Sequence, residues 1–223
     1  MVDYKNKNYD IYMIQMTKHP VSQSYMSKVL PSWERNNYNV SLFEAITPPD
    51  LATLDDIAFD SLKKMDRKSN QVVFNRNFTE TEKAVWYSHF FLWEKVFTSE
   101  RPAIIIEHDS KLVRHIPADL NKPKFLSFCN DTWTKRRVAS DIDPGDGKGK
   151  FLCPGSGYYL TPMIAWRMYE TAMQYDIKLQ VDGFLRSFIP VKKESDFYFI
   201  EQINTNGLNT IDHKKNYRKY VPL

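Results

Sequence analysis

Glycine is scarce in this 223-residue chain, with 7 in all, about 3% against a usual roughly 7%. Five of them, Gly145, Gly147, Gly149, Gly155 and Gly157, fall inside one short segment. No register of these glycines completes G-x-G-x-x-G or G-x-x-x-x-G-K-[ST], which excludes the two common glycine-cradled phosphate sites. Cysteine is scarcer still: Cys129 and Cys153 are too few for a disulfide framework or a zinc cage. Long apolar runs are missing as well. No apolar segment follows Met1-Val2-Asp3-Tyr4-Lys5, and the longest purely aliphatic stretch, Ala103 to Ile106, is far short of the roughly 18 residues of a membrane span. A soluble, unsecreted, cytoplasmic protein with reduced thiols is expected. Five scattered histidines form no H-E-x-x-H and no paired spacing.

What is present is ordinary in bulk and uneven in detail. Apolar residues make up 42% and charged residues 26%, the balance of a globular domain rather than a disordered or coiled-coil chain. One domain over residues 1–210 with a basic tail over 211–223 is expected. The net charge of +4 is mild, but Asn121 to Arg137 holds five Lys or Arg, including Arg136 and Arg137, and Ile211 to Leu223 holds four. Such stripes suit a phosphate-bearing partner or are plain solvated faces.

Along the chain, Tyr9 to Met16 is a nearly continuous apolar run of strand length, as expected of a strand covered on both sides. A helix is predicted over Ser22 to Leu30, stopped near Pro31, followed by a strand at Asn39 to Phe43. Strand, helix, strand implies a parallel crossover. Residues 48–78 are polar and irregular, read as loop or short helices. Thr79-Glu80-Thr81-Glu82 forms a capping box for a helix with Val85, Trp86, Phe90, Trp93, Val96 and Phe97 inward. Ala103 to Ile106 reads as a central strand running into Glu107-His108-Asp109. Phe125 to Phe128 is a further strand. Thr161 as N-cap and Pro162 open a helix to Gln174 with Ile164, Met168 and Ala172 inward. Phe197 to Ile200 is the last strand candidate.

The acids draw the chemical reading. Glu107 and Asp109, alternate residues of an extended segment, share a side. At the carboxyl end of a buried strand, where open α/β sheets bind ligands, they can hold a divalent cation that bridges a diphosphate; the plain alternative is a solvated acidic turn. His108 between them is a ligand, a proton carrier or a structural group, and His89 in mid-helix reads as a packed, satisfied histidine. Gly155-Ser156-Gly157 either lets backbone approach a ligand or makes a tight turn. Asp182, an isolated acid in Val181-Asp182-Gly183-Phe184-Leu185, is either a cap or a catalytic group.

The order of these motifs resembles glycosyltransferase family 25, which includes bacterial lipooligosaccharide galactosyltransferases. Ile11 to Met16 is similar to the family's first strand and Leu42 to Ile46 to its second. Thr79 to Val96 resembles its helix bearing Ser-His (Ser88, His89) and Leu-Trp. Ala103 to Asp109 stands where the family has a strand ending Glu-Asp-Asp, with His108 in place of the usual aspartate. Gly155 to Pro162 resembles its Gly-x-x-Gly-Tyr turn, and Val181 to Leu185 its Val-Asp-x-x-Leu.

The resemblance implies a single GT-A type, Rossmann-like α/β domain with a mostly parallel central sheet flanked by helices. It also implies a nucleotide-sugar donor, usually a UDP sugar, and a divalent metal, Mn2+ or Mg2+, on Glu107 and Asp109. His108, Gly155, Ser156 and Gly157 would join those acids in binding the donor, Gln15 and Thr17 would lie near the nucleotide base, and Asp182 would be the general base. The acceptor it implies is a saccharide of lipooligosaccharide type, made at the inner membrane face, where the basic tail would meet anionic headgroups. The alternatives are phage-type glycosylation of hydroxymethylated DNA, with Trp133, Tyr217 and Tyr220 among the basic residues, and a catalytically silent saccharide- or partner-binding member. The glycine cluster, with Lys148 and Lys150 inside it, is expected to form a mobile loop bordering the donor or acceptor site; those lysines and Arg136 and Arg137 are its candidate acceptor or phosphate contacts.

Overall fold

The computed structural model describes residues 8–65, 72–116, 120, 125–127, 157–188 and 200–202. Its centre is a five-stranded sheet in the order β2-β1-β5-β8-β7, built from β1 (Asp10–Gln15), β2 (Ser41–Glu44), β5 (Ala103–Glu107), β7 (Phe125–Ser127) and β8 (Gly157–Leu160). β1 pairs in parallel with β2 and β5, and β8 runs antiparallel to both β5 and β7. Four of the five strands therefore point the same way, the mostly parallel sheet expected. Its flanking helices are α1 (Pro20–Glu34), α2 (Glu80–Thr98), α3 (Pro162–Gln174) and α4 (Val181–Phe188).

Strand periodicity divides the core. Tyr12, Ile14, Ala103, Ile105, Tyr158 and Leu160 face one layer, where they pack with Trp86, Phe90 and Trp93 of α2, Met168 of α3 and Phe184 of α4. Ile11, Met13, Ile104, Ile106 and Tyr159 face the other, against Met26, Val29 and Trp33 of α1. Alternation of side chains along β5 assigns Glu107 to the first layer, with Ala103 and Ile105.

Two expectations need correction, and a third holds with a different bonding pattern. α1 does not stop at Pro31 but continues to Glu34. An interior proline costs about 3 kcal/mol, whereas full burial of an indole offers about 4 to 6 kcal/mol. Trp33 is fully buried and its Nε1 donates to the Ser110 carbonyl at 2.9 Å, so packing carries the helix past the proline. Residues 48–78 are not irregular throughout: they contain a 3-10 helix at Pro48–Thr53 and an antiparallel hairpin of β3 (Leu62–Met65) and β4 (Val72–Arg76). The lysines of β3 concealed its strand period. Thr161 stands at the N-cap of α3, but its hydroxyl makes no capping bond; the Thr161 carbonyl instead accepts from Ile164 and Ala165, both at 3.0 Å.

The remaining short strands, β6 (Ser110–Leu112) and β9 (Ile200–Gln202), pair antiparallel beyond β5. β9 begins at Ile200, so the rest of the strand expected at Phe197 to Ile200 lies outside the described residues. Among the described residues no helix is long and apolar enough to cross a membrane.

Candidate functional site

The three adjacent parallel strands β2, β1 and β5 end in polar residues, Glu44, Gln15 and Glu107. Gln15 is in register with Glu44, and Glu107 with Ile14. β5 stops at Glu107, and His108-Asp109 forms a turn into β6. The two acids are therefore not alternate residues of one extended segment, yet the turn still gathers them. Burial pushes the Glu107 carboxyl well above the usual range, and the nearby charges of Asp109 and then Asp182 push it further. Asp182 lies in the first turn of α4, so a helix some 75 residues further on supplies the third acid, by a turn of chain that no local pattern fixes.

A buried polar group lies beside these acids. Tyr158 of β8 accepts a hydrogen bond at its hydroxyl from Trp93 Nε1 at 2.9 Å, and His89 Nδ1 is 2.8 Å from the same oxygen. Burial raises the Tyr158 phenol strongly; the Trp93 bond opposes this, while Glu107 and Asp182 add to it. His89, 1% exposed, is pushed down to about 3 by burial and is neutral at physiological pH. The expectation of a packed histidine holds at Nδ1. Its Nε2 is buried with no hydrogen-bond partner among the described residues. Ser88 plays a separate part. Its Oγ donates to the Ala84 carbonyl at 3.0 Å and accepts from the Ile46 N–H at 2.9 Å, pinning the segment after β2 to α2.

His108 turns toward the other layer. Its ring stacks on Tyr25 of α1, with centroids 5.7 Å apart and planes 25° apart. Burial, then the neighbouring His19, pulls its pKa down to about 4 against a hydrogen bond to the Ile14 backbone. Asp109, 4% exposed, acts on both layers, since its charge raises Tyr25 after burial does as well as Glu107.

Gln15 and Thr17 form one network with Glu44. Gln15 Nε2 donates to Glu44 Oε2 at 2.7 Å and to Thr17 Oγ1 at 2.8 Å; the Thr17 N–H donates to Glu44 Oε1 at 2.8 Å, and its hydroxyl also contacts that carboxylate. Gly157 opens β8, where an added Cβ would collide with Ile200 Cδ1 and come within 3.2 Å of Ile106 Cγ2. Packing room for Ile200 is thus one reason for glycine there. Gly155, Ser156, Lys148, Lys150, Arg136 and Arg137, the cysteines and the basic tail lie outside the described residues.

Sequence reasoning missed Glu44, Trp93 and Tyr158 as site neighbours. Tyr158 sits in an apolar run, and only the strand pairing of β5 with β8 sets it next to Glu107. Among the described residues no group of three or more His, Cys, Asp or Glu side chains is arranged to hold a metal ion.

A mostly parallel open sheet, covered by helices on both sides and gathering acids at the end of its central strand, is the layout of a Rossmann-like glycosyltransferase domain. The pattern of the family described as "Glycosyltransferase family 25 (LPS biosynthesis protein)" matches residues 8–144, more than half of the chain, and the chain belongs to that family. No curated protein matches it significantly. The matched span includes Gln15, Glu44, Ser88, His89, Glu107 and Asp109 and ends before Tyr158 and Asp182. Membership supports glycosyl transfer in lipopolysaccharide biosynthesis.

Proposed function

We propose that this chain transfers a sugar from a nucleotide-diphosphate donor, a UDP sugar, to a hydroxyl of a lipooligosaccharide-type saccharide. The observation that carries the reading is Glu107 at the carboxyl end of β5, whose buried carboxyl feels the charges of Asp109 and Asp182, in a chain of a glycosyltransferase family. In this reading Asp182 takes the proton of the acceptor hydroxyl as its oxygen bonds to the anomeric carbon. The bond from that carbon to the donor diphosphate breaks, and the nucleoside diphosphate leaves with the electron pair.

Glu107 and Asp109 fit a divalent cation shared with the donor. Magnesium is commonly held by one or two carboxylates plus substrate phosphates, and the repulsion from Asp109 that adds to burial in raising Glu107 is what a bound cation would relieve. Such a cation, Mn2+ or Mg2+, would offset the charge that develops on the leaving diphosphate. Gln15 and Thr17, joined to Glu44 at the end of β1, would lie near the nucleotide base.

The deciding experiment crosses a panel of nucleotide sugars with a lipooligosaccharide acceptor and a hydroxymethylated duplex, read by mass shift, with and without Mn2+. A hexose or pentose added to the saccharide, lost on chelation and in Asp109→Ala, is the expected result. Addition to the duplex alone would replace the acceptor, undiminished transfer after chelation would remove the cation, and binding without transfer from any donor would mark a silent saccharide binder.

A further inference from the structure

Four residues of α2, Glu82, Trp86, His89 and Trp93, recur at spacings of 4, 3 and 4 and so share one face of the helix. Each presents a buried polar atom toward the segments that carry the site. The lower two join Tyr158. The upper two hold the start of α4: Gln180 Nε2 donates to Glu82 Oε1 at 2.7 Å, and Trp86 Nε1 donates to the Leu179 carbonyl at 2.9 Å. One turn further along, the Phe184 ring packs edge-on against Trp86 at 4.7 Å and stacks on Trp93 at 5.5 Å.

Glu82 is itself firmly held. It is 7% exposed, paired through both oxygens with Arg76, and hydrogen-bonded to the Thr79 N–H at 2.9 Å in the capping box. Burial raises its carboxyl, but the bonds from Arg76, Thr79 and Gln180 outweigh burial and bring it to about 2. It is a charged, immobile anchor. Asp182 lies two residues beyond Gln180 and three beyond Leu179, so these two bonds, together with the buried neighbours Val181, Phe184 and Leu185, hold the turn that carries it.

We infer that Glu82, Trp86 and Gln180 are positioning residues that set Asp182 against the acceptor hydroxyl, acting from α2 and from the segment before α4 without touching substrate. This rests on the reading of Asp182 as general base. A hydroxyl and its base must meet within hydrogen-bond reach, and an error of about 1 Å in such a placement can cost up to about 100-fold in rate. The Gln180–Glu82 bond is the separable part of the clamp, because Gln180 is exposed while Glu82 also caps α2 and holds Arg76.

The test is a cycle of Gln180→Ala, Asp182→Asn and the double variant in the full chain, assayed for sugar transfer from the donor the panel identifies, with melting temperatures taken alongside. Gln180→Ala is expected to melt near the wild type, keep donor KM within about twofold and lose about 10- to 100-fold in kcat. In the Asp182→Asn background the same change is expected to cost nothing further, since a residue acting only through Asp182 has nothing left to position. Full loss repeated in that background, or wild-type kcat in Gln180→Ala beside an inactive Asp182→Asn, overturns the inference and leaves the base in place. Wild-type activity in Asp182→Asn overturns the base assignment instead.

Discussion

His89 Nδ1 lies 2.8 Å from the Tyr158 hydroxyl, joining the middle of α2 to β8 through two side chains that are both sealed from solvent. The Trp93 N–H already donates to that oxygen, so a single proton, from the phenol or from the imidazole, occupies the short contact. A charged imidazolium here would have to be desolvated without a carboxylate bonded to it, which is why burial holds His89 down to about 3.

This makes the fold sensitive to mild acid. An unfolded histidine binds its proton near pH 6.5, whereas native His89 does so only near 3 and His108 only near 4. Between these limits the unfolded chain binds more protons, so stability rises with pH and is lost as pH falls below the unfolded value. The urea midpoint is expected to fall steadily from about pH 6.5 to about pH 4, with a shallower fall in His89→Gln, which keeps a polar partner for Tyr158 but does not titrate. Parallel curves for the two proteins would show that His89 is not buried in its neutral form.

Glu107 works in the opposite direction. Its native proton affinity is raised by burial and by Asp109 and Asp182, so its ionisation opposes folding, and the stability it allows is fully present below about pH 4.3 and lost as pH rises above that. Glu107→Gln removes the charge at constant shape. It is expected to melt higher than the wild type at pH 7.5, to lose that advantage near pH 4, and to lose sugar transfer. Equal melting at both pH values would show that burial and the neighbouring acids do not raise the Glu107 carboxyl.

The contrast between these two residues shows what the sequence makes legible. Glu107 and Asp109 stand out because an all-aliphatic strand leads toward them, and that strand is present and ends at Glu107, with Asp109 in the turn beyond it; the capping box at Thr79 and Glu82 is local chemistry that reads directly and is present. Tyr158 is not legible, because nothing in Gly157-Tyr158-Tyr159-Leu160 marks one tyrosine as a core residue of the second layer and the other as a neighbour of Glu107. That distinction is made by the antiparallel pairing of β8 with β5, which puts Tyr158 opposite Ile105 and Tyr159 opposite Ile104. The Glu82 to Gln180 bond spans 98 positions and is invisible for the same reason. The extent of α1 past Pro31 was decided by burial of Trp33, a tertiary effect that local propensity does not contain.

Ser88 carries a smaller and cleaner prediction. Its hydroxyl serves the Ile46 N–H and the Ala84 carbonyl at once and is 2% exposed. Ser88→Ala leaves a backbone donor without its partner at the turn after β2, and a cost of about 1 to 3 kcal/mol in urea unfolding is expected. Ser88→Thr retains the hydroxyl and is expected to recover part of that loss. A cost below about 0.5 kcal/mol for the alanine variant would mean that water replaces the hydroxyl at Ile46.

Gly157 separates packing from ligand approach. A methyl group there meets Ile200 Cδ1 directly and lies 3.2 Å from Ile106 Cγ2, inside a layer that also contains Ile104, Tyr159 and Leu112. Overpacking of this kind typically costs about 1 to 3 kcal/mol, and Gly157→Ala is expected to be destabilised by that amount. Because the clash is with one flexible side-chain end, shortening the partner provides relief: Gly157→Ala with Ile200→Val is expected to be more stable than the sum of the two single changes predicts. If glycine were needed only for a donor to approach the backbone, the single variant would fold with wild-type stability and lose donor affinity, and the second substitution would restore nothing. Urea midpoints and donor KM for the three variants therefore assign the residue to the core or to the site, and the geometry of Ile200 over β8 favours the core.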